Sequence, residues 1–202
     1  MLKVGLTGSI AVGKSLVCGV LRELGCHVLD ADLTSREVVA KGTAGLASIV
    51  ARFGEGVLTE GGEIDRKRLG SIVFADKEKR QILNSIVHPL VIEAQDKWIR
   101  DTGTKDPDGI AFIDAALMIE SGGYKRFNKL IVVWCESAIQ LDRLMRRDGL
   151  SETDAKTRIA AQMSQDEKKR FADYLIDTSD GFEATKTQTS EILRQLRSSY
   201  EV

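Results

Sequence analysis

The residues whose types and spacing most clearly suggest chemistry lie between Gly8 and Ser15. They follow the pattern G-x-x-x-x-G-K-[ST], which is typical of a loop that binds nucleotide phosphates. The glycines let the backbone wrap a phosphate chain with successive N–H groups pointing inward. Lys14 can reach the β- and γ-phosphates, and the Ser15 hydroxyl can bind Mg²⁺. The residues expected to contact the nucleotide here are Gly8, Ala11, Val12, Gly13, Lys14, Ser15 and Leu16.

The segments on either side of this loop predict a strand before it and a helix after it. Leu2 to Leu6 is a short apolar run, and Val17 to Leu24 carries apolar residues at helical spacing. The phosphate-binding motif requires this strand–loop–helix context, which argues against a chance match in a glycine-rich turn. The start of the helix would add its positive end to the site, and Gly25 marks where the helix ends.

A second strand and a pair of acidic residues follow. Residues 26–30 are expected to form a buried strand, which completes a βαβ unit with parallel strands and a right-handed crossover. Ligands of such sheets bind outside the carboxyl ends of the strands, where Asp30 and Asp32 follow. Asp32 could face a second substrate across the γ-phosphate, or it could cap a helix expected from Leu33 to Ala40. Both roles can coexist, and position alone leaves the choice open.

The long stretch from residue 33 to residue 102 is expected to form a helical insert over the sheet edge, where an acceptor substrate would bind. It is longer than a single crossover between parallel strands requires. The predicted helices span residues 44–53, 66–74 after a cap at Asp65, 77–87, and a last helix with Pro89 in its first turn that ends near Arg100. Residues 102–109 are expected to form a polar loop.

A third strand, Ile110 to Ile113, ends in Asp114. An acid that follows a buried strand in a phosphate-loop protein is typical of the carboxylate that helps to hold Mg²⁺ through water. A helix cap or a salt bridge is the alternative role for Asp114. Ser15 and Asp114 are therefore the candidate metal-binding residues.

Two further strands are expected at residues 130–133 and 174–177, with a closing amphipathic helix at residues 182–200. The length of 202 residues suits one compact domain that carries the insert. We therefore expect a three-layer α/β fold with a five-stranded parallel sheet, a helical insert and a helical lid.

The candidate lid spans residues 137–172. The residues expected to start its helices are Ser137, Ser151 and Ser164, the last in a capping box with Glu167. Arginine-bearing helices joined at Gly149 suit a mobile lid that brings guanidinium charge to the phosphates. Arg143 and Arg147 are the candidates for this role, and a solvated basic face is the alternative for either one.

The composition indicates a soluble globular protein without a nucleic-acid-binding or membrane-binding segment. The chain is 43% hydrophobic and 29% charged, with a net charge of −1. No basic tail, transmembrane-length run or signal peptide is apparent. Three cysteines without a CxxC pair suggest reduced thiols, and two distant histidines do not suggest a zinc site. We therefore expect a cytoplasmic protein.

The sequence as a whole resembles the dephospho-coenzyme A kinase family, nearly from end to end. The more specific elements of the resemblance, in this order, are Asp30-Ala31-Asp32, His88-Pro89 and Arg147-Asp148. The other residues that carry it are Gly5–Gly8, Gly13–Ser15, Asp65-Arg66, Leu69, Val73-Phe74, Leu117, Glu120, Gln162, Ala172-Asp173 and Ile176-Asp177. The resemblance implies a P-loop kinase fold. It also implies Mg²⁺-dependent transfer of phosphate from ATP to the ribose 3′-hydroxyl of dephospho-CoA, which gives CoA and ADP in the last step of CoA biosynthesis.

The resemblance implies roles for individual residues as well. Asp32 would be the base that faces the ribose 3′-hydroxyl, and Arg147 would be a lid residue near the ATP. Together with Lys14 they are the candidate catalytic residues. The residues on the acceptor side would be Arg66, His88 and Glu120. The implied partner is a small-molecule substrate, dephospho-CoA. The protein is expected to be a monomer or a weak homo-oligomer that binds neither nucleic acid nor a membrane.

The sequence departs from the family pattern in several places. The family's Gly-Gly-Ile-Gly-Ser-Gly-Lys-Ser-Thr is here Gly-Ser-Ile-Ala-Val-Gly-Lys-Ser-Leu, from Gly8 to Leu16. Because Gly13, Lys14 and Ser15 are kept, phosphate binding should persist. Leu16 lacks a hydroxyl near the α-phosphate, which is expected to weaken nucleotide affinity. Ala116 replaces a proline, which should relax that loop. Thr178 stands where the family usually has Asn.

Two other classes of protein fit part of the pattern. Another small-molecule P-loop kinase, acting for instance on a nucleoside or a shikimate-like acceptor, would share the phosphate loop, although the large insert favours a longer acceptor. A GTPase-like switch should carry Asn-Lys-x-Asp after a strand. The closest stretch, Asn128 to Ile131, lacks the acid and precedes its strand, so nothing visible selects guanine.

Overall fold

A computed structural model describes residues 1–200 of the chain. The chain divides into two compact units, one formed by Met1–Leu29 together with the segment from Thr102 onward, and the other by Asp30–Asp101. The strands are β1 Leu2–Thr7, β2 His27–Asp30, β3 Ile110–Asp114, β4 Lys129–Trp134 and β5 Tyr174–Asp177. The α-helices are α1 Lys14–Glu23, α2 Ala31–Glu37, α3 Ala44–Phe53, α4 Arg66–Ala75, α5 Lys77–Lys105, α6 Ser137–Asp148, α7 Glu152–Ala160, α8 Gln165–Lys169 and α9 Gly181–Tyr200. None of the helices in residues 1–200 has the length and apolar character that a membrane span needs.

The strands form one five-stranded parallel sheet, as the sequence predicts, and the structure gives their order as β2-β3-β1-β4-β5. The central strand β1 pairs with β3 and with β4, and Leu6 lies opposite Asp114 on one side and Ile131 on the other. This register brings the loop after β1 and the acid at the end of β3 to the same edge of the sheet. Strand β2, which was expected to be buried, is half-buried because it lies at the sheet edge with a neighbour on one side only.

The core of the first unit lies between the sheet, α1 and α9. Its buried residues include Leu2, Val4, Leu6, Phe112, Ile131, Val133 and Ile176 on the strands, Val17 and Leu21 on α1, and Leu193 and Leu196 on α9. Each such side chain contributes roughly 1.5–3 kcal/mol of hydrophobic free energy on burial. Because α1 is packed against this core, the position of its amino end, where the phosphate-binding loop meets it, is fixed.

The second unit contains α2, α3, α4 and most of α5, and it has a small core of its own. The buried residues of this core are Val39, Ile49, Val57, Leu69 and Val73. The hydroxyl of Thr43 caps α3 by accepting from the Leu46 N–H, and Asp65 caps α4 by accepting from the Arg68 N–H. The predicted span of α3 and the predicted cap of α4 are therefore confirmed.

The cap of α2 is Asp30, so the alternative role considered for Asp32, as the cap of this helix, is wrong. The helix begins at Ala31, and Asp30 Oδ1 accepts from the N–H groups of Asp32 and Leu33 at 2.8 and 3.0 Å. Asp30 has the extended backbone that a cap requires, with φ −86° and ψ 111°, whereas Asp32 already lies in the first helical turn. Capping therefore does not explain an acid at position 32.

Pro89 lies inside α5, so the prediction that it starts a new helix is wrong. The helix is continuous over 29 residues. A proline in a helix interior costs about 3 kcal/mol because it removes one backbone hydrogen bond and crowds the preceding turn. Leu83, Ile86 and Val87, just before the proline, pack against the core of the second unit. We infer that this burial outweighs the local cost and keeps the helix unbroken.

The polar loop predicted at residues 102–109 is half helical, because α5 continues to Lys105. The carbonyl of Thr102 accepts from the Asp106 N–H at 2.9 Å, which extends the helical pattern past the polar residues. The chain turns only afterwards, where the Gly109 N–H donates to the Asp106 carbonyl at 3.2 Å. Polar composition alone therefore placed the start of the loop too early.

Glu136 occupies the cap position of α6, so the prediction that Ser137 caps this helix is wrong. No side chain caps the helix there. The Glu136 N–H instead donates to Ser179 Oγ at 2.9 Å, a contact with a residue distant in sequence. Ser151 caps α7 and Ser164 caps α8 in a capping box, as predicted.

Replacing Gly45 by alanine should destabilise the second unit, because the new Cβ would lie 2.2 Å from the Val38 carbonyl oxygen and 2.9 Å from Leu90 Cδ1. Overpacking of this kind typically costs about 1–3 kcal/mol. Gly70→Ala on α4 is the matched control, because its Cβ would meet only Phe74 ring atoms at 4.0 Å and should be neutral or stabilising. Urea unfolding followed by circular dichroism measures both, and equal stability of the two variants would contradict the prediction.

Candidate active site

The loop between β1 and α1 follows a path that two glycines make possible. A Cβ on Gly8 would lie 2.5 Å from the Val133 carbonyl oxygen, so only glycine lets the loop pass this close to β4. Gly13 has φ +85°, a backbone conformation that side chains rarely allow, and it immediately precedes α1. The spacing of the two glycines in the motif is therefore explained by one close approach and one left-handed turn.

The amino end of α1 presents backbone donors to this loop. The N–H groups of Leu16 and Val17 donate to the Gly13 carbonyl at 3.0 and 3.5 Å, and these are the first hydrogen bonds of the helix. Lys14 and Ser15 precede them, and the N–H groups of a first helical turn have no acceptor within the helix. Ser15 is exposed and Lys14 is half-buried, so both side chains can meet a bound phosphate.

Ala11 has φ +60° and is the one non-glycine residue with a positive φ in residues 1–200. The family pattern has glycine at this position. A left-handed conformation costs a residue with a Cβ roughly 1–2 kcal/mol. The loop of this chain therefore needs contacts from outside to hold it in this shape.

The candidate lid segment holds the first part of the loop. The Ile10 N–H donates to Gln162 Oε1 at 2.8 Å, and Gln140 Nε2 donates to the Ile10 carbonyl at 2.8 Å. The Ser9 hydroxyl donates to the Met163 carbonyl at 3.3 Å. Residues of α6 and of the connection between α7 and α8 thus bind the loop from one side.

Thr178 holds the second part of the loop. Its hydroxyl donates to the Val12 carbonyl at 2.7 Å and accepts from Arg143 Nη1 at 2.9 Å, while Arg143 Nη2 donates to the Thr178 carbonyl at 2.8 Å. Thr178 is fully buried, and its side chain is what a Cβ on Gly13 would meet. Arg143, expected to contact the nucleotide, here supports the loop through Thr178.

Lys14 forms an ion pair with Asp114, so the structure brings two predicted site residues together. The pair joins Lys14 Nζ to Asp114 Oδ1, and the two side chains are 18% and 12% exposed. The thiol of Cys18, one turn after Lys14 on α1, donates to Asp114 Oδ2 at 3.2 Å. Burial, together with the nearby Asp114 carboxylate, raises the pKa of Cys18 to about 12, so the thiol stays protonated and acts as a donor.

Arg147, the candidate lid arginine, is paired with its neighbour. Its Nε and Nη2 donate to the two carboxylate oxygens of Asp148 at 2.8 and 3.2 Å, and Arg158 Nη1 donates to the same carboxylate at 3.0 Å. The hydrogen bonds that Arg147 makes to Asp148 raise the pKa of Arg147, and they contribute most to lowering the pKa of Asp148. The side chain of Arg147 remains 55% exposed.

Glu120, expected on the acceptor side, contacts the lid segment. It forms an ion pair with Lys168 Nζ at 2.8 Å, and its Oε1 accepts from the Met163 N–H at 3.4 Å. Lys168 also donates to the Ala116 carbonyl at 2.8 Å. These contacts all lie within the first unit.

The remaining predicted residues, Asp32, Arg66 and His88, belong to the second unit and are all exposed. Asp32 lies in the first turn of α2, Arg66 is the first residue of α4, and His88 lies within α5. Their proposed roles on the acceptor side stay predictions.

Three supporting residues were not assigned a role from the sequence: Gln140, Cys18 and Lys168. The i, i+4 spacing of Lys14 and Cys18 on α1 was a usable signal, because it places both on one helix face. Gln140 and Lys168 gave no local signal, since their partners are distant in sequence. Gln162 and Thr178 were noted only through the family pattern.

The fold and the site define a class of protein. A parallel sheet carries a phosphate-binding loop after its central strand, a lysine at the start of the following helix and an acid at the end of the neighbouring strand. This combination is typical of P-loop kinases.

Comparisons with known proteins agree with this class. A family model described as dephospho-CoA kinase matches residues 2–183. The chain is similar to the dephospho-CoA kinase of Bacillus licheniformis, with 44% identity over 192 residues that cover 95% of each chain. Among solved structures it is similar to dephospho-CoA kinase from Campylobacter jejuni, with 28% identity, a TM-score of 0.73 and 98% of each chain covered. It is also similar to TT1252 from Thermus thermophilus, with 25% identity, a TM-score of 0.82 and 96% of each chain covered.

The chain belongs to the dephospho-CoA kinase family. The resemblance inferred from the sequence motifs is therefore confirmed, and with it the P-loop kinase fold and the assignment of the chain as a phosphate-transferring enzyme.

Thr178→Val should weaken nucleotide binding and lower the free energy of unfolding. The isosteric change removes the hydroxyl from between Val12 and Arg143, and an unsatisfied buried partner costs about 1–3 kcal/mol. Thr178→Ser keeps the hydroxyl and is the matched control. Urea unfolding and calorimetric titration with a non-hydrolysable ATP analogue measure the two effects. If the valine and serine variants bind the analogue equally well, the hydroxyl does not support the loop.

Proposed function

We propose that this protein transfers the γ-phosphoryl group of ATP to the ribose 3′-hydroxyl of dephospho-CoA, giving CoA and ADP. The proposal rests on the phosphate-binding loop at the carboxyl end of β1, which is held by hydrogen bonds to Gln162 and Thr178. The loop leads into Lys14, which pairs with Asp114. Membership in the dephospho-CoA kinase family supports the choice of acceptor.

Transfer of this kind depends on alignment and charge stabilisation, because the transition state is loose and charge spreads over the phosphoryl oxygens. The N–H groups at the start of α1 and the Lys14 ammonium would stabilise that charge. Lys14 would move its contact from Asp114 toward the phosphates when nucleotide binds. Asp114 would keep the hydrogen bond from the Cys18 thiol, so its carboxylate would not be left without a donor.

The donors at this site suit Mg²⁺, which prefers oxygen ligands and completes its shell with water and substrate phosphates. Ser15 offers a hydroxyl at the start of α1, and Asp114 offers a carboxylate at the end of β3 that would act through water. When bound, the ion would neutralise charge on the β- and γ-phosphates. Ser15 and Asp114 are the residues that we assign to holding it.

On the acceptor side, we assign Asp32 as the base that orients the 3′-hydroxyl and accepts its proton late in the reaction. Arg66 and His88 would bind the acceptor. Arg147 would exchange Asp148 for the phosphates when the lid closes, which its exposed guanidinium permits. Arg143 would contribute by fixing the loop through Thr178.

We place the protein in the cytoplasm, as a monomer or weak homo-oligomer that binds neither nucleic acid nor a membrane. The net charge of −1 supports the absence of a nucleic-acid-binding or membrane-surface patch. The cytoplasmic placement is supported by three buried cysteines without a disulfide in the described residues 1–200, since reduced thiols are usual in the cytoplasm.

An ATP-consumption assay with dephospho-CoA, run beside pantothenate, shikimate and adenosine, tests the proposal. Turnover should require dephospho-CoA, and its product should carry the new phosphate on the ribose 3′-oxygen, as phosphorus NMR would show. Equal or faster turnover with one of the other acceptors would contradict the assignment.

Lys14→Ala should abolish turnover while the protein remains folded, because it removes the cation that faces the phosphates. Loss of such a transition-state contact typically lowers kcat by roughly 10²–10³-fold. Lys3→Ala, which removes an exposed lysine from β1, is the matched control. Steady-state rates at saturating ATP, with thermal unfolding of each variant, measure the effect. A kcat near that of the unmodified protein in Lys14→Ala would contradict the assignment of the loop.

Asp32→Asn should lower kcat by roughly 10²–10⁴-fold, because asparagine cannot accept the proton of the 3′-hydroxyl. Affinity for an ATP analogue should stay within a few-fold, because the phosphates are bound by a different loop. Stability should not change, since Asp32 does not cap α2. Asp30→Asn is the matched control, because asparagine caps a helix about as well as aspartate. An active Asp32→Asn protein with an inactive Asp30→Asn protein would move the base to Asp30.

A further inference from the structure

One buried charge has no role in the reaction described above. The side chain of Lys168, on α8, is 0% exposed. Its ammonium donates to the Ala116 carbonyl at 2.8 Å and pairs with Glu120 Oε1 at 2.8 Å. A buried cation is tolerated when it is paired and hydrogen-bonded, but an apolar side chain in the same space is often as stable or more stable. The charge therefore needs an explanation beyond packing.

The first partner of Lys168 also holds the residue before the phosphate-binding loop. The Ala116 carbonyl accepts from the Thr7 hydroxyl at 3.2 Å in addition to the Lys168 ammonium. Thr7 is the last residue of β1 and is followed directly by Gly8. Lys168 thus holds the Ala116 carbonyl, which in turn binds Thr7, the residue just before the loop.

The second partner of Lys168 also leads to the loop. Glu120 Oε1 accepts from the Met163 N–H at 3.4 Å, and the Met163 carbonyl accepts from the Ser9 hydroxyl at 3.3 Å. Gln162, the residue before Met163, accepts from the Ile10 N–H. A change in Glu120 would therefore be transmitted to Ser9 and Ile10 through the lid connection.

We propose that Lys168 is a positioning residue for the phosphate-binding loop. It binds Ala116 and Glu120 to α8, and these two in turn hold Thr7 and Met163 against the start of the loop. Glu120 then acts on the nucleotide side through Lys168, instead of contacting the acceptor as the family resemblance implies. The effect on turnover rests on the proposed function, but the effect on nucleotide affinity does not.

The test compares Lys168→Met, Glu120→Gln, the double variant and the unmodified protein. Methionine keeps the length of the lysine stem and removes its charge. Lys169→Met is the matched control, because it removes the neighbouring lysine of the same helix, which contacts Asp166 and the Trp134 ring instead. Calorimetric titration with a non-hydrolysable ATP analogue gives the affinity, and steady-state kinetics give kcat and KM for each substrate.

Lys168→Met and Glu120→Gln should each weaken analogue binding about tenfold or more, because a loop that is no longer held in its binding conformation must be ordered when the analogue binds. The KM for dephospho-CoA should stay within a few-fold. The double variant should be no worse than the more affected single variant, because the two residues act as one unit. Lys169→Met should bind the analogue as the unmodified protein does.

Two results would overturn the proposal. One is analogue affinity and kcat in Lys168→Met equal to those of the unmodified protein, even with a lower melting temperature, because Lys168 would then serve stability alone. The other is a Glu120→Gln protein with a raised KM for dephospho-CoA and unchanged analogue affinity, which would place Glu120 on the acceptor. If Lys168→Met does not fold, Glu120→Gln alone decides, because the Glu120 side chain is 24% exposed and the substitution removes the negative charge that pairs with Lys168. Analogue binding does not depend on the acceptor, so a failure of dephospho-CoA turnover in the unmodified protein leaves this result readable.

Discussion

The site depends on holding one loop in a conformation that the loop would not keep by itself. Residues 8–13 lie outside the helices and strands. N–H groups of the loop that point toward a ligand cannot form hydrogen bonds within the protein. Other polar groups of the loop must therefore make the hydrogen bonds that hold it in place. The carbonyls of Ile10 and Val12 do so, because they accept from Gln140 on α6 and from Thr178 in the loop after β5. The helices of the candidate lid and the loop after β5 are therefore structural supports of the phosphate site even before a substrate is bound.

The same site balances the charges of Lys14 and Asp114. Lys14 faces a carboxylate at the end of β3, and that carboxylate is shared with a thiol on the helix that Lys14 begins. Because the pKa of Cys18 is raised to about 12, the thiol does not add a second negative charge beside Asp114 near neutral pH. Asp114 can therefore release Lys14 to a phosphate and still keep one donor. A fully isolated carboxylate in this buried position would be far more costly.

What could be predicted from the sequence depended on whether the cause was local. The phosphate loop, the acid after β3 and the caps at Ser151 and Ser164 follow from motif spacing and capping chemistry, and each is where it was expected. Pro89 was misplaced because packing of α5 outweighs the local effect of a proline. Lys168 could not be identified, since it is one of three consecutive basic residues and only the fold shows which of them is buried. For Asp32, the sequence supplied a candidate base and the wrong capping role.

Two departures from the family pattern, Ala11 and Ala116, lie at positions where other residues hold the phosphate-binding loop or the chain beside it. The structure uses the carbonyl of Ala116, which a proline would offer equally, so the hydrogen bonds from Thr7 and Lys168 do not depend on the lost ring. The same bonds restrain the loop that a proline would have stiffened. Ala11, in contrast, adds a left-handed strain that glycine would avoid. A loop with this alanine needs its outside contacts more than a glycine-rich loop does. Nucleotide binding in this chain should therefore be more sensitive to loss of Lys168 or Thr178 than in relatives that keep glycine at that position.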